Sequence, residues 1–181
     1  MEKIKTKQKE KDNNKITIKD IIITLILSVA ISFALMSVFR ITVVNGHSMD
    51  NTLYDGQRLV LNVRAYDNKE PEYKDIVVVE RDDLSVKYLI KRVIGTPGDK
   101  LVIKDNKLYI NDELIYEDYI REEMVTDDLE VVIPEGKIFV MGDNRNESLD
   151  SRSINVIGLI DYEEEVLGKA VFSISGFKSI E

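Results

Sequence analysis

The sequence predicts a mainly β protein, in which an antiparallel, barrel-like domain follows one N-terminal transmembrane helix. Beyond residue 40, eight short β-type runs are separated by turn signals, and no segment there shows a convincing amphipathic helical period. Before residue 40 stands one uncharged apolar stretch long enough to span a membrane. We therefore expect a Lys-rich tail over 1–19, a transmembrane helix over 20–40 and a β-rich domain over 41–181.

The tail and the apolar stretch together predict an orientation in the membrane. Residues 1–19 are polar and Lys-rich, which is typical of a disordered tail. Residues 21–39 carry no charge, and 19 residues at a rise of 1.5 Å span about 28 Å, close to the hydrocarbon thickness of a bilayer. Seven lysines precede this stretch and only Arg40 follows closely. The positive-inside rule therefore places the tail in the cytoplasm and the domain outside the membrane.

A cleaved signal peptide and a buried core helix are the two alternative interpretations of the apolar stretch. The stretch is longer than a usual signal-peptide core, and Phe39-Arg40-Ile41 lacks the small-x-small pattern of a cleavage site. We therefore predict that the helix is retained.

Charge and residue inventory exclude several kinds of partner and site. Residues 1–40 hold eight Lys and Arg against four Asp and Glu, whereas residues 41–181 hold 17 against 29, a net of −12. Because an acidic domain repels phosphate, we expect no nucleic-acid partner. The chain has no cysteine and one histidine, His47, which excludes disulfides, thiolate sites and multi-histidine metal sites. We expect no metal and no cofactor.

Turn signals separate the predicted strands of the domain. Asp105-Asn106 and Pro97-Gly98-Asp99 mark two tight turns, and the acidic segment 112–134 is predicted to be a long excursion. The arrangement favours an antiparallel sheet-rich or barrel-like domain. The predicted strands are Arg58–Arg64, Asp75–Glu80, Val86–Ile94, Lys100–Lys104, Lys107–Asn111, Lys137–Met141, Val156–Tyr162 and Val166–Ser173.

One loop is unusually rich in hydrogen-bonding side chains. Residues 142–152 read Gly-Asp-Asn-Arg-Asn-Glu-Ser-Leu-Asp-Ser-Arg and directly follow the apolar run 138–141. A buried donor or acceptor without a partner costs about 1–3 kcal/mol, so this composition indicates a partly buried polar network. Such networks are built around functional sites, and we expect one here.

Lys91 is a candidate general base. In the predicted strand Val86–Ile94, period-2 alternation places Lys91 with Leu89 and Val93 on one face and Arg92 on the other. An amine desolvated among apolar neighbours has a lowered pKa and can accept a proton near neutral pH. The alternative, which this pattern taken alone favours, is an edge strand whose two cationic side chains both extend into water.

Ser48 becomes a candidate nucleophile only in combination with the other two segments. It lies eight residues beyond Arg40, so even an extended connection keeps it within about 29 Å of the membrane face. Gly46, two residues earlier, allows close approach by another chain. His47 is a direct neighbour that points to the opposite face of an extended segment, so we do not expect it to act as the base.

Together, the three segments resemble the type I signal peptidases, membrane-bound serine proteases that remove signal peptides from exported proteins. The resemblance covers residues 20 to about 173, with the segments in the family's order behind an N-terminal anchor. The matching motifs are Ser48-Met49-x-x-Thr52-Leu53, Lys91-Arg92-Val93-Ile94-Gly95-x-Pro97-Gly98-Asp99 and Gly142-Asp143-Asn144-Arg145-x-x-Ser148-x-Asp150-Ser151-Arg152.

This resemblance implies a role for each matching residue. Ser48 would be the nucleophile and Lys91 its general base, and Ser148 would orient the lysine amine. The Ser48 backbone N–H would hold the oxyanion, with Gly46 and Met49 on the oxyanion and substrate side. Substrates would be signal-peptide-bearing preproteins, delivered by the export machinery, with small side chains at the −1 and −3 positions. The charged residues implied to hold the loop against the site are Asp143, Arg145, Asp150 and Arg152.

Two departures from the family pattern leave alternatives open. Asn51 stands where the family usually has a proline, and the loss of a fixed φ points to a looser nucleophile turn or a narrower substrate range. Gly46 replaces a hydroxyl that some relatives have, and one oxyanion donor of this type is worth about 2.7–4 kcal/mol. Because of Asn51, a specialised or inactive paralogue stays an alternative to the general enzyme, whereas a backbone group or water can replace the donor that Gly46 lacks.

Two further alternatives belong to other classes. A self-cleaving, repressor-type peptidase shares the Ser-Lys chemistry but is soluble, and the apolar helix and acidic domain argue against it. A membrane-tethered β-domain without catalysis, such as an adhesin or assembly subunit, has no reason to combine Ser48, Lys91 and the 142–152 loop. The sequence therefore favours a membrane-bound serine endopeptidase.

Overall fold

A computed structural model describes residues 16–82, 87–176 and 178–180 of the chain. Its one long helix, α1, spans Ile18–Val38, and the chain from Val38 onward forms a separate compact unit of antiparallel strands. These features confirm the predicted fold class: mainly β, with one N-terminal apolar helix. Residues 1–15 of the predicted tail lie outside the described residues.

The helix α1 has the length and composition of a membrane-spanning segment. Thr17 and Asp20 cap its start reciprocally, because the Asp20 carboxylate accepts from the Thr17 N–H at 2.9 Å and the Thr17 hydroxyl accepts from the Asp20 N–H at 3.3 Å. The helix has 21 residues and no buried side chain. A helix that is apolar all round, yet unburied, needs an apolar surrounding. It ends at Val38, two residues before the predicted end, because the next residues pair as a strand.

Strands in the described part of the domain form two antiparallel sheets. The strands are β1 Phe39–Val43, β2 Arg58–Asn62, β3 Ile76–Glu80, β4 Tyr88–Gly95, β5 Lys100–Lys104, β6 Lys107–Ile110, β7 Glu113–Leu114, β8 Leu129–Val132, β9 Lys137–Met141, β10 Ile160–Asp161, β11 Val166–Ser173 and β12 Lys178–Ser179. The larger sheet has the order β1-β2-β11-β3-β4-β9-β10, with β12 paired to β11, and the smaller has the order β7-β6-β5-β8. Register shifts in β11 and in β4 mark bulges, which curl the larger sheet.

The predicted strand Val156–Tyr162 is wrong over most of its length. The Ser153 carbonyl accepts from the N–H groups of Val156 at 2.9 Å and Ile157 at 2.8 Å, which closes a turn, and only β10 remains extended. The predicted excursion 112–134 contains the two short strands β7 and β8. Val86, at the start of another predicted strand, lies outside the described residues.

Strand β4 contributes to all three hydrophobic clusters of the core. Ile90 packs on the cluster around Met49 and Leu61, Leu89 and Val93 belong with the cluster around Val140, and Ile94 belongs with the cluster that joins β9 to the smaller sheet. Lys91 and Arg92 are therefore carried by a strand fixed from three sides. This placement holds their backbone rigid.

Candidate active site

Three segments converge on one pair of atoms. The turn that follows β1 brings the Ser48 Oγ to 2.7 Å from the Lys91 Nζ, and the amine also donates to the Ile90 carbonyl at 3.1 Å. Both Lys91 and Arg92 are only 2% exposed. The alternative of an edge strand with two solvated cations is therefore wrong.

Burial sets the protonation of Lys91. Lys91 lies opposite Val77 in the β3–β4 register, on the sheet face that also carries Leu89 and Val93. Desolvation lowers the pKa of Lys91 to about 8, while the nearby carboxylates of Asp150 and Asp143 raise it and the Arg152 guanidinium lowers it. Near pH 8, a large fraction of the amine is therefore neutral and able to accept a proton.

The backbone around Ser48 is held in place by Asn144. The Asn144 N–H donates to the Ser48 carbonyl at 3.0 Å, and its side-chain amide donates to the His47 carbonyl at 3.0 Å. No group in the described part of the chain accepts from the Ser48 N–H, so this donor is open to a ligand. Gly46 has φ +100°, and no described atom lies within 4 Å of where its Cβ would stand. The surface before Ser48 is therefore open to close approach by another chain.

The two residues that flank Ser48 point elsewhere. The His47 side chain is 65% exposed, and its Nδ1 lies 3.2 Å from Asp50. Met49 is buried in the core cluster with Val44 and Leu53, so its side chain anchors the turn.

Gly142 makes close contact with both serines of the site. A Cβ at position 142 would lie 2.3 Å from the Ser148 Oγ and 2.4 Å from the Ser48 carbonyl oxygen. The Ser148 Oγ is buried and has no hydrogen-bond partner among the described residues. An unsatisfied buried hydroxyl beside the Lys91 site fits the implied orienting role, which stays a prediction.

Three two-point ion pairs support the site. Asp143 accepts from Arg92 at 2.9 and 2.7 Å, and Asp150 accepts from Arg152 at 2.8 and 2.9 Å. Arg145 pairs in the same way with Glu117, at 2.5 and 2.8 Å. Paired guanidinium and carboxylate groups satisfy each other in the interior, where a single charge is very unfavourable.

These pairs connect the loop to its surroundings. Asp150 also accepts from the Gly142 N–H at 3.0 Å, which ties the two ends of the loop together. Asp143 accepts from the Thr52 hydroxyl, so the loop contacts the turn that carries Ser48. The Arg145 Nε donates to the Gly142 carbonyl at 3.0 Å.

Sequence reasoning missed several residues of this network. The resemblance implies that Asp143 and Arg145 help to hold the loop against the site, but it does not name their partners, Arg92 and Glu117, which lie outside the loop. Thr52 and Asn144 lie inside the quoted motifs without an assigned role. No sequence pattern marks Glu117 as a partner of Arg145, because Glu117 belongs to an acidic segment without periodicity.

Comparison with known proteins assigns the family. Residues 16–175 match the model of the family described as signal peptidase, peptidase S26. The chain belongs to this family. A signal peptidase I of Bacillus licheniformis is 40% identical over 90% of this chain and 89% of the relative. Signal peptidase IB of Staphylococcus aureus is 34% identical over 86% of this chain and 91% of the relative. A solved signal peptidase I from Enterococcus faecalis is 30% identical, with a TM-score of 0.48, over 57% of this chain and 98% of that chain.

We expect Gly142→Ala to inactivate this signal peptidase family member, because the new methyl group displaces the Ser48 and Ser148 segments together. A shift of about 1 Å at a reacting group costs on the order of 100-fold in rate. The measurement is the peptidase rate with a matched control, Gly176→Ala, whose Cβ meets only ordinary contacts at 3.8 and 3.9 Å. Equal rates for both variants would contradict the close packing at Gly142.

Proposed function

We propose that this protein is a membrane-anchored type I signal peptidase that cleaves signal peptides from exported preproteins with Ser48 and Lys91. The supporting observation is the 2.7 Å separation of the Ser48 Oγ and the Lys91 Nζ in a member of the signal peptidase family. A hydroxyl and a buried amine at this distance form a nucleophile and its base. The same geometry argues against the inactive paralogue, since Asn51 leaves the pair in contact.

Acylation begins with proton transfer. The neutral Lys91 amine takes the Ser48 proton as Oγ attacks the scissile carbonyl carbon, and the carbonyl oxygen becomes an oxyanion. The open Ser48 N–H donates to that oxyanion, which is the largest electrostatic contribution a site of this kind provides. As the intermediate collapses, Lys91 gives its proton to the leaving amine, so the mature protein departs and the signal peptide stays as an ester on Ser48.

Deacylation returns the site to its starting state. Lys91, neutral again, takes a proton from a water molecule, and the hydroxide oxygen attacks the ester carbonyl. The Ser48 oxygen leaves with the proton that Lys91 carries, and the signal peptide is released with a free carboxylate. We assign Ser148 the role of orienting the amine in both steps, because its buried Oγ has no hydrogen-bond partner among the described residues and is free to bind the amine as the reaction proceeds.

A cleft between β1 and β4 suits an extended substrate, and two of its lining residues, Asn45 and Ile90, are close in sequence to Ser48 and Lys91. It has a volume of about 670 Å³ and lies between Thr42 and Val43 of β1 and Tyr88 and Ile90 of β4. Among the described strands, β1 pairs only with β2, and β9 pairs with β4 only from Arg92 onward. β1 and the part of β4 before Arg92 therefore each have one unpaired edge. An extended peptide can add to such an edge as a further strand, through backbone hydrogen bonds.

The apolar floor of the cleft bears on specificity. Val44, Val78 and Ile90 line it and pack together in one core cluster. We infer that a floor closed by packed side chains accepts small apolar side chains more readily than large ones. The packed floor is compatible with the −1 and −3 preference for small residues that the family resemblance implies.

The membrane topology follows from charge and length. Six lysines lie before α1 and a seventh, Lys19, lies in its first turn, and the helix itself is long and apolar enough to span a bilayer. We infer that α1 is a single-pass anchor, with the tail over 1–19 in the cytoplasm and the domain over 41–181 outside. The short connection from the helix to Ser48 keeps the nucleophile near the membrane surface.

We expect Ser48→Ala and Lys91→Met each to lower kcat by about 10⁴-fold or more, because each removes one member of a unit that acts together. The measurement is cleavage of a preprotein by the full chain in detergent. Ser179→Ala and Lys107→Met, two substitutions of the same types at exposed strand positions, are the controls and should keep full activity. Wild-type turnover in either active-site variant would refute the dyad.

We expect kcat/KM to rise about tenfold per pH unit on the acid side and to level off above a pKa of about 8, because only the neutral Lys91 amine accepts the Ser48 proton. The measurement is the pH–rate profile with a short peptide substrate. An acid limb at about 10.4, the reference pKa of lysine, would show that the amine is hydrated.

The absence of native cysteine allows a direct test of topology. We expect a membrane-impermeant maleimide to label Asp112→Cys on intact cells, since the Asp112 side chain is 83% exposed in the domain. Lys7→Cys should be labelled only after the membrane is opened. The reverse labelling pattern would invert the proposed orientation.

A further inference from the structure

The backbone at Asn51 has an unusual conformation. Its φ is +89°, in the left-handed region that asparagine tolerates better than most residues. Proline, which the resemblance places at this position in relatives, has φ fixed at about −65° and cannot adopt this conformation. Asn51 is therefore matched to the shape of the turn that carries Ser48 in this protein.

The Asn51 side chain bridges to a distant segment. Its amide donates to the Tyr119 carbonyl at 3.0 Å and lies 3.4 Å from the Ile120 carbonyl. We call residues 117–121 the strap. Nearly 70 residues of chain separate Asn51 from the strap, so this bridge is tertiary and is not part of the local turn.

The strap contacts the other parts of the site as well. The Arg121 N–H donates to the Asp143 carbonyl at 3.1 Å, and Glu117 pairs with Arg145. The Tyr119 ring lies 4.1 Å from the Arg92 guanidinium carbon, in a cation–π contact. The strap therefore touches the nucleophile turn, the strand of the base and the 142–152 loop.

We propose that Asn51 is a positioning residue, which fixes the Ser48 turn against the strap and so holds the Ser48 Oγ at the Lys91 amine. The inference rests on the proposed function, since it assigns Ser48 as the nucleophile. Asn144 holds the turn on one side through the Ser48 and His47 carbonyls. Asn51 attaches the same turn to the strap, in addition to the buried Met49 side chain and the Thr52–Asp143 hydrogen bond.

The positioning role makes the family's usual residue harmful in this chain. A proline at position 51 removes the amide bridge and forbids the observed φ, so the turn must rearrange. A glycine at position 51 keeps the positive φ and removes only the amide. The two variants therefore separate the contribution of the hydrogen bonds from that of the backbone shape.

The experiment compares Asn51→Gly and Asn51→Pro in the full chain, with a synthetic peptide that has alanine at −3 and −1. We expect kcat, referred to the folded fraction, to fall about tenfold for Asn51→Gly and about 100-fold for Asn51→Pro. For Asn51→Gly, KM and the acid limb of the pH–rate profile should stay at wild-type values, because this variant keeps the positive φ and so leaves the cleft and Lys91 unchanged. A loss of folding alone would not produce this split.

The matched control is Asn111→Gly. Asn111 also has a positive φ, +52°, and its amide also donates to another segment, at 2.8 Å from the Asp99 carboxylate. Its turn lies in the smaller sheet, so we expect kcat within twofold of wild type. A similar fall in kcat in this control would show that removing an asparagine bridge elsewhere in the domain also lowers kcat. The effect at Asn51 would then not be specific to the Ser48 turn.

Two results would overturn the inference. One is wild-type kcat in Asn51→Gly or Asn51→Pro, and the other is a raised KM with unchanged kcat, which would place Asn51 in substrate binding. Ser48→Ala distinguishes this failure from failure of the proposed function. If Ser48→Ala is inactive while Asn51→Gly is fully active, only the positioning role is lost. If Ser48→Ala retains turnover, the proposed function itself fails.

Discussion

The burial of one lysine amine beside one serine hydroxyl is the constraint on which the rest of the domain depends. An amine on a flexible, exposed side chain stays protonated at neutral pH and cannot act as a base. Carrying Lys91 on a strand that packs into three core clusters removes it from water and lowers its pKa to about 8. The antiparallel sheet therefore lowers the pKa of Lys91, in addition to holding the site residues in position.

The charged groups near Lys91 have to be arranged so that they do not reverse this effect. Asp150 and Asp143 each raise the pKa of the amine, and an unpaired carboxylate at either position would favour the ammonium form. Arg152 pairs with Asp150 and Arg92 pairs with Asp143, each through two hydrogen bonds. Because the local charges largely cancel, desolvation is left as the largest influence on Lys91. The ion pairs thus hold the 142–152 loop in place and keep the electrostatic field at the Lys91 amine weak.

Local patterns in the sequence predicted the parts of this structure that local physics determines. The alternation in β4 placed Lys91 with Leu89 and Val93, and the turn signals separated most of the strands correctly. The apolar run through Phe39 gave no sign that the helix changes to β1 at that residue. Likewise, the three bonds accepted by the Ser153 carbonyl convert an apolar run that resembled a strand into a turn.

Features that depend on tertiary contacts could not be predicted from the sequence alone. Whether Lys91 is buried depends on how the sheet curls around it, and the alternation is the same for a solvated lysine. The roles of Glu117 and Tyr119 arise from contacts with Arg145 and Arg92, which lie more than 25 residues away along the chain. In the sequence, Asn51 is only a departure from the proline that the family usually has at this position. The φ of +89° and the bridge to the strap show how the turn accommodates the asparagine.

Direct titration of the Lys91 Nζ by NMR, in the full chain with ¹⁵N-labelled lysine, tests the central claim without relying on turnover. Lys91 is identified by comparison with Lys91→Met. Its resonance should titrate with a midpoint near 8, separate from the exposed lysines. A midpoint with the bulk of the lysines, at about 10.4, would show that the amine is hydrated and would contradict its proposed role as a base.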